Sequence, residues 1–408
     1  LMLLTVSRSV SSNSCAFLMA MTACSESVFK ISRSVRVNEV LSILSRSATT
    51  PTTSMRSTDD IWRGTPYSLA GARFDPDERE STDRWIPHPI LRRAASPNEG
   101  AGAPSVIAIK HCAPGGARGE RWGDTFFARQ LADAMRELGH HVYVDNRASA
   151  RRSSTYLDQI NIVIRGRYDI PAVPGALNVL WIISHPELVQ PEELIGFDLV
   201  YAASESWATW ASRKYGVDVR PLLQATDVSR FRRVEDSSVR SADVLVVGNR
   251  RWEYERPSAK GLTLLEADLN RGIYGEGWAS EPAMSSMVLG EYIDNSELPG
   301  AYSGAKVVLN DHHPSMRRSG FINNRIFDAL ALGTRVISDS IAGGAEVFGD
   351  RVKWYESADQ IPTLVRDVID NPWSGPEQDE VVDWIRESHS FGSRAKKILH
   401  DVNKAVNE

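Results

Sequence analysis

Apolar positions fall into two regions of different texture that meet near residue 105. Residues 106–109 form a short apolar run of strand length, followed by a turn at Gly115 and Gly116. Phe126, Phe127, Leu131, Met135 and Leu138 then recur at helical spacing, Gly139 stops the helix, and residues 142–144 resume as a strand. That is a βαβ unit, the building block of parallel sheets. Strand-like runs at 160–164, 179–183, 199–202 and 219–223, with helical segments near 191–194 and 207–215, complete one doubly wound α/β domain ending near Asp227. A polar stretch at 231–241 reads as a linker, and then the pattern restarts. Strands are expected at 244–247, 307–310 and 336–338, helices at 261–269 and 325–332, and helical tail segments at 359–369 and from Gln378 onward. The expected organisation is an N-terminal Rossmann-like domain at 103–230, a second at 242–376 and a helical tail at 377–408.

Residues 1–102 lack either periodicity. They are crowded with Ser and Thr up to about Asp60 and rich in Pro, Arg and Asp beyond it. Such a segment buries too little apolar surface to offset its ordering entropy, so a low-complexity, disordered extension is expected. The apolar stretch 16–21 before Cys24 faintly resembles an export signal, but polar residues break it on both sides, and Met21 stands where Leu is usual. A start at Met55 or later is an equal alternative. A cytoplasmic location is expected.

Composition narrows the classes. Among 408 residues, 42% are hydrophobic and 24% charged, which describes a globular chain of two to three domains rather than a fibrous or disordered one. Mean hydropathy is −0.28, and no apolar run approaches the roughly 20 residues of a membrane span. A net charge of −5 gives no global attraction to nucleic acid, and the aromatics are not interleaved with basic runs. Cys15, Cys24 and Cys112 make neither a disulfide framework nor a zinc pattern.

In doubly wound sheets, ligands sit outside the carboxyl ends of strands, here 110–116, 184–187, 248–250, 310–313 and 338–344. Gly115, Gly116 and Gly119 let backbone amides approach a ligand at a helix N-terminus, or form a plain tight turn; the dinucleotide-binding spacing is absent. His185, directly after a strand and two residues before Glu187, is a candidate acid/base or a structural histidine. Gly248 and Arg250, with Lys260 opening the next helix, suit a pyrophosphate or form a solvated basic surface. The densest constellation is residues 310–350. There Asp328, one turn into a helix carrying Asn324 and Arg325, is placed to accept hydrogen bonds from a ribose diol. His312 and His313 are adjacent, so their side chains project apart, and no metal site is expected.

The order of these motifs resembles GT-B glycosyltransferases of the glycosyl transferases group 1 superfamily, in particular the CgeB-like, spore-maturation-protein branch. The likeness covers residues 105–400 and rests on Gly248, Arg250 and Lys260, on the run Phe327-Asp328-Ala329-Leu330-Ala331-Leu332-Gly333, and on the closing segment Ser388–Ala395. It implies an α/β GT-B fold with two Rossmann-like domains facing a cleft. It implies a hexosyltransferase-like enzyme of class 2.4 that takes a nucleoside-diphosphate sugar as substrate, with no cofactor and no metal. Arg250, Lys260 and Arg325 would face the diphosphate, Asp328 the ribose, and Asn323 and Asn324 further donor contacts. His185 would serve the acceptor side beside the Gly115–Gly116 loop. The chain departs from the family's paired Glu-x7-Glu, because the first Glu falls on Gly320, and Asp328 replaces the second. The acceptor, whether glycan, protein or small molecule, is not encoded in a readable motif. A nucleotide-sugar epimerase, or a noncatalytic nucleotide-sugar-binding protein of a surface or spore layer, would share the shape.

Overall fold

Short β-branched runs that are buried on both faces assemble into parallel sheets, because crossover helices cover each face. The computed structural model describes residues 104–235 and 237–407, so the expectations for the first hundred residues lie outside the described residues. Among these, β1 (Val106–His111), β2 (His141–Asp145), β3 (Ile160–Arg165), β4 (Leu177–Ile182), β5 (Leu199–Ala202) and β6 (Val219–Pro221) form one sheet. It is parallel throughout, in the order β2-β1-β3-β4-β5-β6. All six residues of β3 are buried. Helices α1 (Gly116–Gly119), α2 (Gly123–Glu137), α3 (Pro191–Ile195) and α4 (Glu205–Tyr215) accompany it. In α2, Phe127, Leu131 and Met135 share the buried face that their spacing predicts.

The second sheet contains β7 (Val244–Val247), β8 (Arg271–Tyr274), β9 (Val288–Gly290), β10 (Val307–Asn310), β11 (Arg335–Asp339) and β12 (Val352–Tyr355). Its order is β12-β11-β10-β7-β8-β9, again parallel. Helices α5 (Pro257–Leu264), α6 (Leu298–Ser303), α7 (Pro314–Arg318), α8 (Asn324–Leu330), α9 (Gly344–Phe348) and α10 (Ile361–Asp370) pack around it. The helix expected at 261–269 starts earlier, at Pro257, a residue suited to the first helical turn. Strand order reverses between β1 and β3 in the first sheet and between β7 and β10 in the second. Such switch points open a crevice at the carboxyl edge.

The tail divides between the halves. Val381 and Ile385 of α11 (Gly375–Ser388) join the core of the second half. Phe391, Ala395, Ile398 and Val402 of α12 (Phe391–Asn407) join the core built on β1, β3 and α2. Phe391 meets Phe127 edge-to-face at 4.8 Å between ring centroids. The chain therefore crosses between halves twice, and the crossings are bonded: Thr226 N donates to His389 O, and Phe391 N to Thr226 O, each at 3.0 Å. The Arg394 guanidinium donates to the carbonyls of Leu223, Gln224 and Ser388 at 2.7–3.1 Å. Burial pushes its pKa down to about 10. A desolvated cation satisfied by carbonyls from both crossings acts as a clamp.

A buried ionic cluster anchors the loop after β2. Arg152 binds Asp158 through two nitrogens, at 2.6 and 3.0 Å, and lies 3.1 Å from Asp145. Lys110 sits 3.7 Å from Asp158 and donates to Ala150 O at 2.9 Å. Removing one cation leaves buried carboxylates facing each other. Arg152→Ala should cost about 3–5 kcal/mol in urea unfolding; a loss below about 1 kcal/mol would show that the cluster is not a structural anchor.

Candidate functional site

Four consecutive residues at the end of β10 are tied to four different parts of the molecule. Asn310 donates to Ser338 Oγ on β11 at 2.9 Å, while its Oδ1 accepts from Arg325 Nη1 at 2.7 Å and Asn323 Nδ2 at 3.1 Å. Asp311 accepts from the Arg256 guanidinium at 2.5 Å and from Ser258 Oγ at 2.5 Å. Burial works to raise the Asp311 pKa, but the Arg256 charge and these hydrogen bonds outweigh it and hold the carboxyl below its ordinary range. His312 Nε2 accepts from the Asn323 N–H at 3.2 Å, which places its proton on Nδ1, facing Asp339 Oδ1 at 2.6 Å. His313 turns the other way, toward the first half.

Asn323, Asn324, Arg325 and Asp328 are thereby gathered at the start of α8. Asp328 is 5% exposed and accepts from Asn324 Nδ2 at 3.1 Å. Burial pushes its pKa up to about 7, against the lowering effects of the Thr226 hydroxyl and the Arg325 charge. Thr226 belongs to the crossing between halves, so Asp328 lies beside the hinge.

Arg250 and Lys260 each face a carboxylate outside this cluster. Arg250 leans toward the loop after β8, pairing with Glu281 at 2.7 Å and lying 4.4 Å over the Trp252 ring. Lys260 is exposed on α5 and stands 3.6 Å from Glu255. Gly248 has φ +154°, and a Cβ there would come within 2.5 Å of Arg256 Nη1, so the glycine makes room for the cation that holds Asp311. On the first half, Gly115 precedes α1, and Gly116 adopts φ +68° with open space where a side chain would stand.

His185 occupies the left-handed region at φ 53°, the one non-glycine residue among those described to do so. Strain of this kind, about 1–2 kcal/mol, persists where neighbours over-determine it. Its Nδ1 lies 3.0 Å from Glu187 Oε1. Across the junction its ring is 5.7 Å from that of His313, which Tyr254 meets edge-on at 5.2 Å. Ser315 fixes His313: its N–H donates to Nδ1 at 3.3 Å, and its Oγ is 2.7 Å away. Burial and the His185 charge lower the His313 pKa. Behind His185, part-buried Asp124 accepts from Cys112 Sγ at 3.0 Å, and burial raises both groups, Cys112 to about 11. That thiol stays protonated and is no nucleophile.

Sequence reasoning missed Asn310, Asp311, Arg256, Asp339, Asp124, Tyr254 and the separate roles of His312 and His313. The strand-end positions of Asn310, Asp311, His312, His313 and Asp339 were legible; the partners of these residues, distant in sequence, were not. The halves also meet through apolar packing. Met316 and Phe321, from the segment between β10 and α8, are buried in the first half's core, with Phe321 edge-on to Trp207 at 5.7 Å.

Two parallel six-stranded sheets with facing carboxyl edges form the two-domain GT-B architecture. The fold is GT-B. Residues 240–400 match the glycosyl transferase-like family. The chain is similar in structure to AviGT4, a glycosyltransferase involved in avilamycin A biosynthesis, with TM-score 0.56, 17% identity, and coverage of 74% of this chain and 98% of that one. A glycosyltransferase from Rickettsia africae gives 0.51 at 10% identity, covering 74% and 99% of the two chains. The sucrose-phosphate synthase of Thermosynechococcus elongatus gives 0.50 at 12%, covering 74% and 98%. No curated protein matches the chain in sequence. Among the described residues, no helix is long and apolar enough to cross a membrane.

Gly320 is the position at which the resemblance expects the first Glu of the pair. It has φ +71°, and a Cβ there would lie 2.7 Å from Ser206 Oγ, 2.9 Å from Ser204 Oγ and 3.0 Å from Ala342 O. Ser204 Oγ donates to Ser319 O across the halves at 2.6 Å. A side chain here would be strained by the left-handed backbone and crowded by these oxygens. Gly320→Ala should destabilise the protein by about 2–3 kcal/mol, combining left-handed strain with the overlap; a denaturation midpoint within error of the parent would contradict this packing.

Proposed function

We propose that the protein is a glycosyltransferase that moves a sugar from a nucleoside-diphosphate donor on the second half to an acceptor on the first. The observation that carries this is the meeting of His185 and Glu187 with the residue 310–313 turn, next to the Asn323–Asp328 segment, in a chain whose residues 240–400 match a glycosyl transferase-like family. Asp328 would accept from the donor ribose. Arg325, with Arg250 and Lys260 once released from Glu281 and Glu255, would stabilise negative charge on the departing diphosphate. His185, oriented by Glu187, would take the acceptor proton. The donor is a substrate, and these groups supply the chemistry without a resident cofactor. The CgeB-like branch, the hexosyltransferase class and a cytoplasmic setting belong to the same proposal.

Glycine at position 320 favours a second reading, a nucleotide-sugar-binding protein without turnover, because the carboxylate that the resemblance expects beside the donor sugar is missing and a side chain there would be strained. Loss of His185 separates the two. His185→Ala should lower kcat by about 10²–10⁴-fold with donor affinity unchanged; donor binding in the parent with neither transfer nor hydrolysis would select the noncatalytic reading.

Asp328 gives a pH test. Burial raises its folded pKa from the ordinary carboxylate range to about 7, so its favourable contribution to stability is complete below about pH 4 and is lost as pH rises through about 7. A ribose diol donates to the ionised form, so nucleotide-sugar affinity should rise with pH across that window. Asp328→Asn should raise apo stability at pH 8 and weaken nucleotide-sugar binding about tenfold or more, leaving affinity flat between pH 5.5 and 8. Thermal shifts read both effects; unchanged affinity in the variant would remove Asp328 from the donor site.

A further inference from the structure

Four exposed arginines stand beyond the carboxyl ends of three neighbouring strands of the first sheet: Arg121 in the link between α1 and α2 that follows β1, Arg147 and Arg151 after β2, and Arg167 after β3. Adjacent strands are about 4.8 Å apart, so the three strand ends span roughly 10 Å of backbone. The loops touch. Arg147 N donates to Ala113 O at 2.9 Å, and the Arg147 guanidinium lies 4.1 Å over the Tyr168 ring. Arg121 lies 4.9 Å over Tyr292 of the second half, so the patch reaches the junction.

Among the described residues, no carboxylate forms an ion pair with any of the four. Acidic groups on the same loops are engaged elsewhere: Glu120 holds Arg129, Asp124 holds Cys112, and Asp145 and Asp158 hold Arg152. Asp169 is the exposed carboxylate that remains on these loops. Folding gives no reason for such a cluster. Its edge of the sheet carries the N-terminus of α2, the positive end of a 15-residue helix, which repels cations. The chain as a whole is at −5, so the patch is local rather than a consequence of composition. It also adjoins the proposed centre: a Cβ on Gly166, next to Arg167, would lie 2.5 Å from Asp124 Oδ2, and Asp124 feels the His185 charge.

We propose that the acceptor is a phosphate monoester, whose phosphate these arginines hold while a hydroxyl of the same molecule is presented to His185. This rests on the glycosyl-transfer reading above. Arginine forks bind phosphate oxygens bidentately, and Tyr168 and Tyr292 hold two of the forks in place. In the transfer, the acceptor oxygen bonds to the anomeric carbon as the bond to the diphosphate oxygen breaks. The hydroxyl proton passes to His185, and the nucleoside diphosphate leaves with the electron pair.

Calorimetric titration of the full chain at low ionic strength tests this, using a hexose 6-phosphate, the neutral hexose, phosphatidylglycerol vesicles and a short oligonucleotide. The hexose phosphate should bind at least tenfold more tightly than the hexose. Arg121→Gln, Arg147→Gln and Arg167→Gln should each weaken it about 5–20-fold, and the triple variant should abolish it. Equal binding of phosphate and neutral hexose, an unaffected triple variant, or binding to vesicles or oligonucleotide alone would overturn the proposal. Nucleoside diphosphate titrated into the same samples reports on the second half: its binding should be unchanged in the triple variant, and its absence in the parent would count against glycosyl transfer itself.

Discussion

The turn that leaves β10 is the constraint on which the rest of the site depends. Asn310, Asp311, His312 and His313 point in turn to β11 and α8, to Arg256 at the start of α5, to Asp339, and to His185. The Asp311–Arg256 pair is buried, where an unmatched charge is costly and a matched one fixes geometry. A carboxylate held this way locates the ends of β7 and β10, the two strands flanking the switch point, relative to each other. The position of α8 follows, because Asn323 is bonded both to Asn310 and to His312.

The same segment couples the halves. Beyond His313 the chain buries Met316 and Phe321 against the first half and brings Gly320 under two serine hydroxyls. The second tie is the paired crossing at Thr226 and residues 388–391, clamped by Arg394. Asp328 lies beside that crossing, so a group proposed to sense the donor also touches the hinge. Relative movement of the halves therefore has to repack the Phe321–Trp207 contact or rotate about the Arg394 clamp.

Charge is distributed by burial rather than by composition. The interior cations each meet carboxylates or carbonyls: Arg152 holds Asp145 and Asp158, Arg256 holds Asp311, and Arg394 holds three backbone oxygens. The arginines at the carboxyl edge of β1, β2 and β3 rest on tyrosine rings or in solvent. Desolvation explains the contrast: a buried cation without a partner unfolds a domain, whereas an exposed one costs little to keep for a ligand.

The sequence by itself determined the doubly wound architecture and the central strands, while β8, β9 and β12 of the second sheet were not foreseen. Apolar runs such as 106–109, 160–164 and 244–247, and the spacing of Phe127, Leu131 and Met135, depend on local periodicity, and local periodicity is written in the chain. The candidate positions were marked for the same reason: His185, Asn323 to Arg325, and Asp328 follow apolar runs or open a helix. Tertiary structure alone decided the rest. The spacing that marked Arg250 and Lys260 did not reveal that each carries its own carboxylate, nor did adjacency reveal that His312 and His313 serve different halves. It took the folded chain to show that Gly320 is crowded by serines more than a hundred residues earlier, and that α12 completes the core begun by β1. Those facts concern pairs distant in sequence, and pairing is fixed by packing the whole sheet edge, which no window of residues contains.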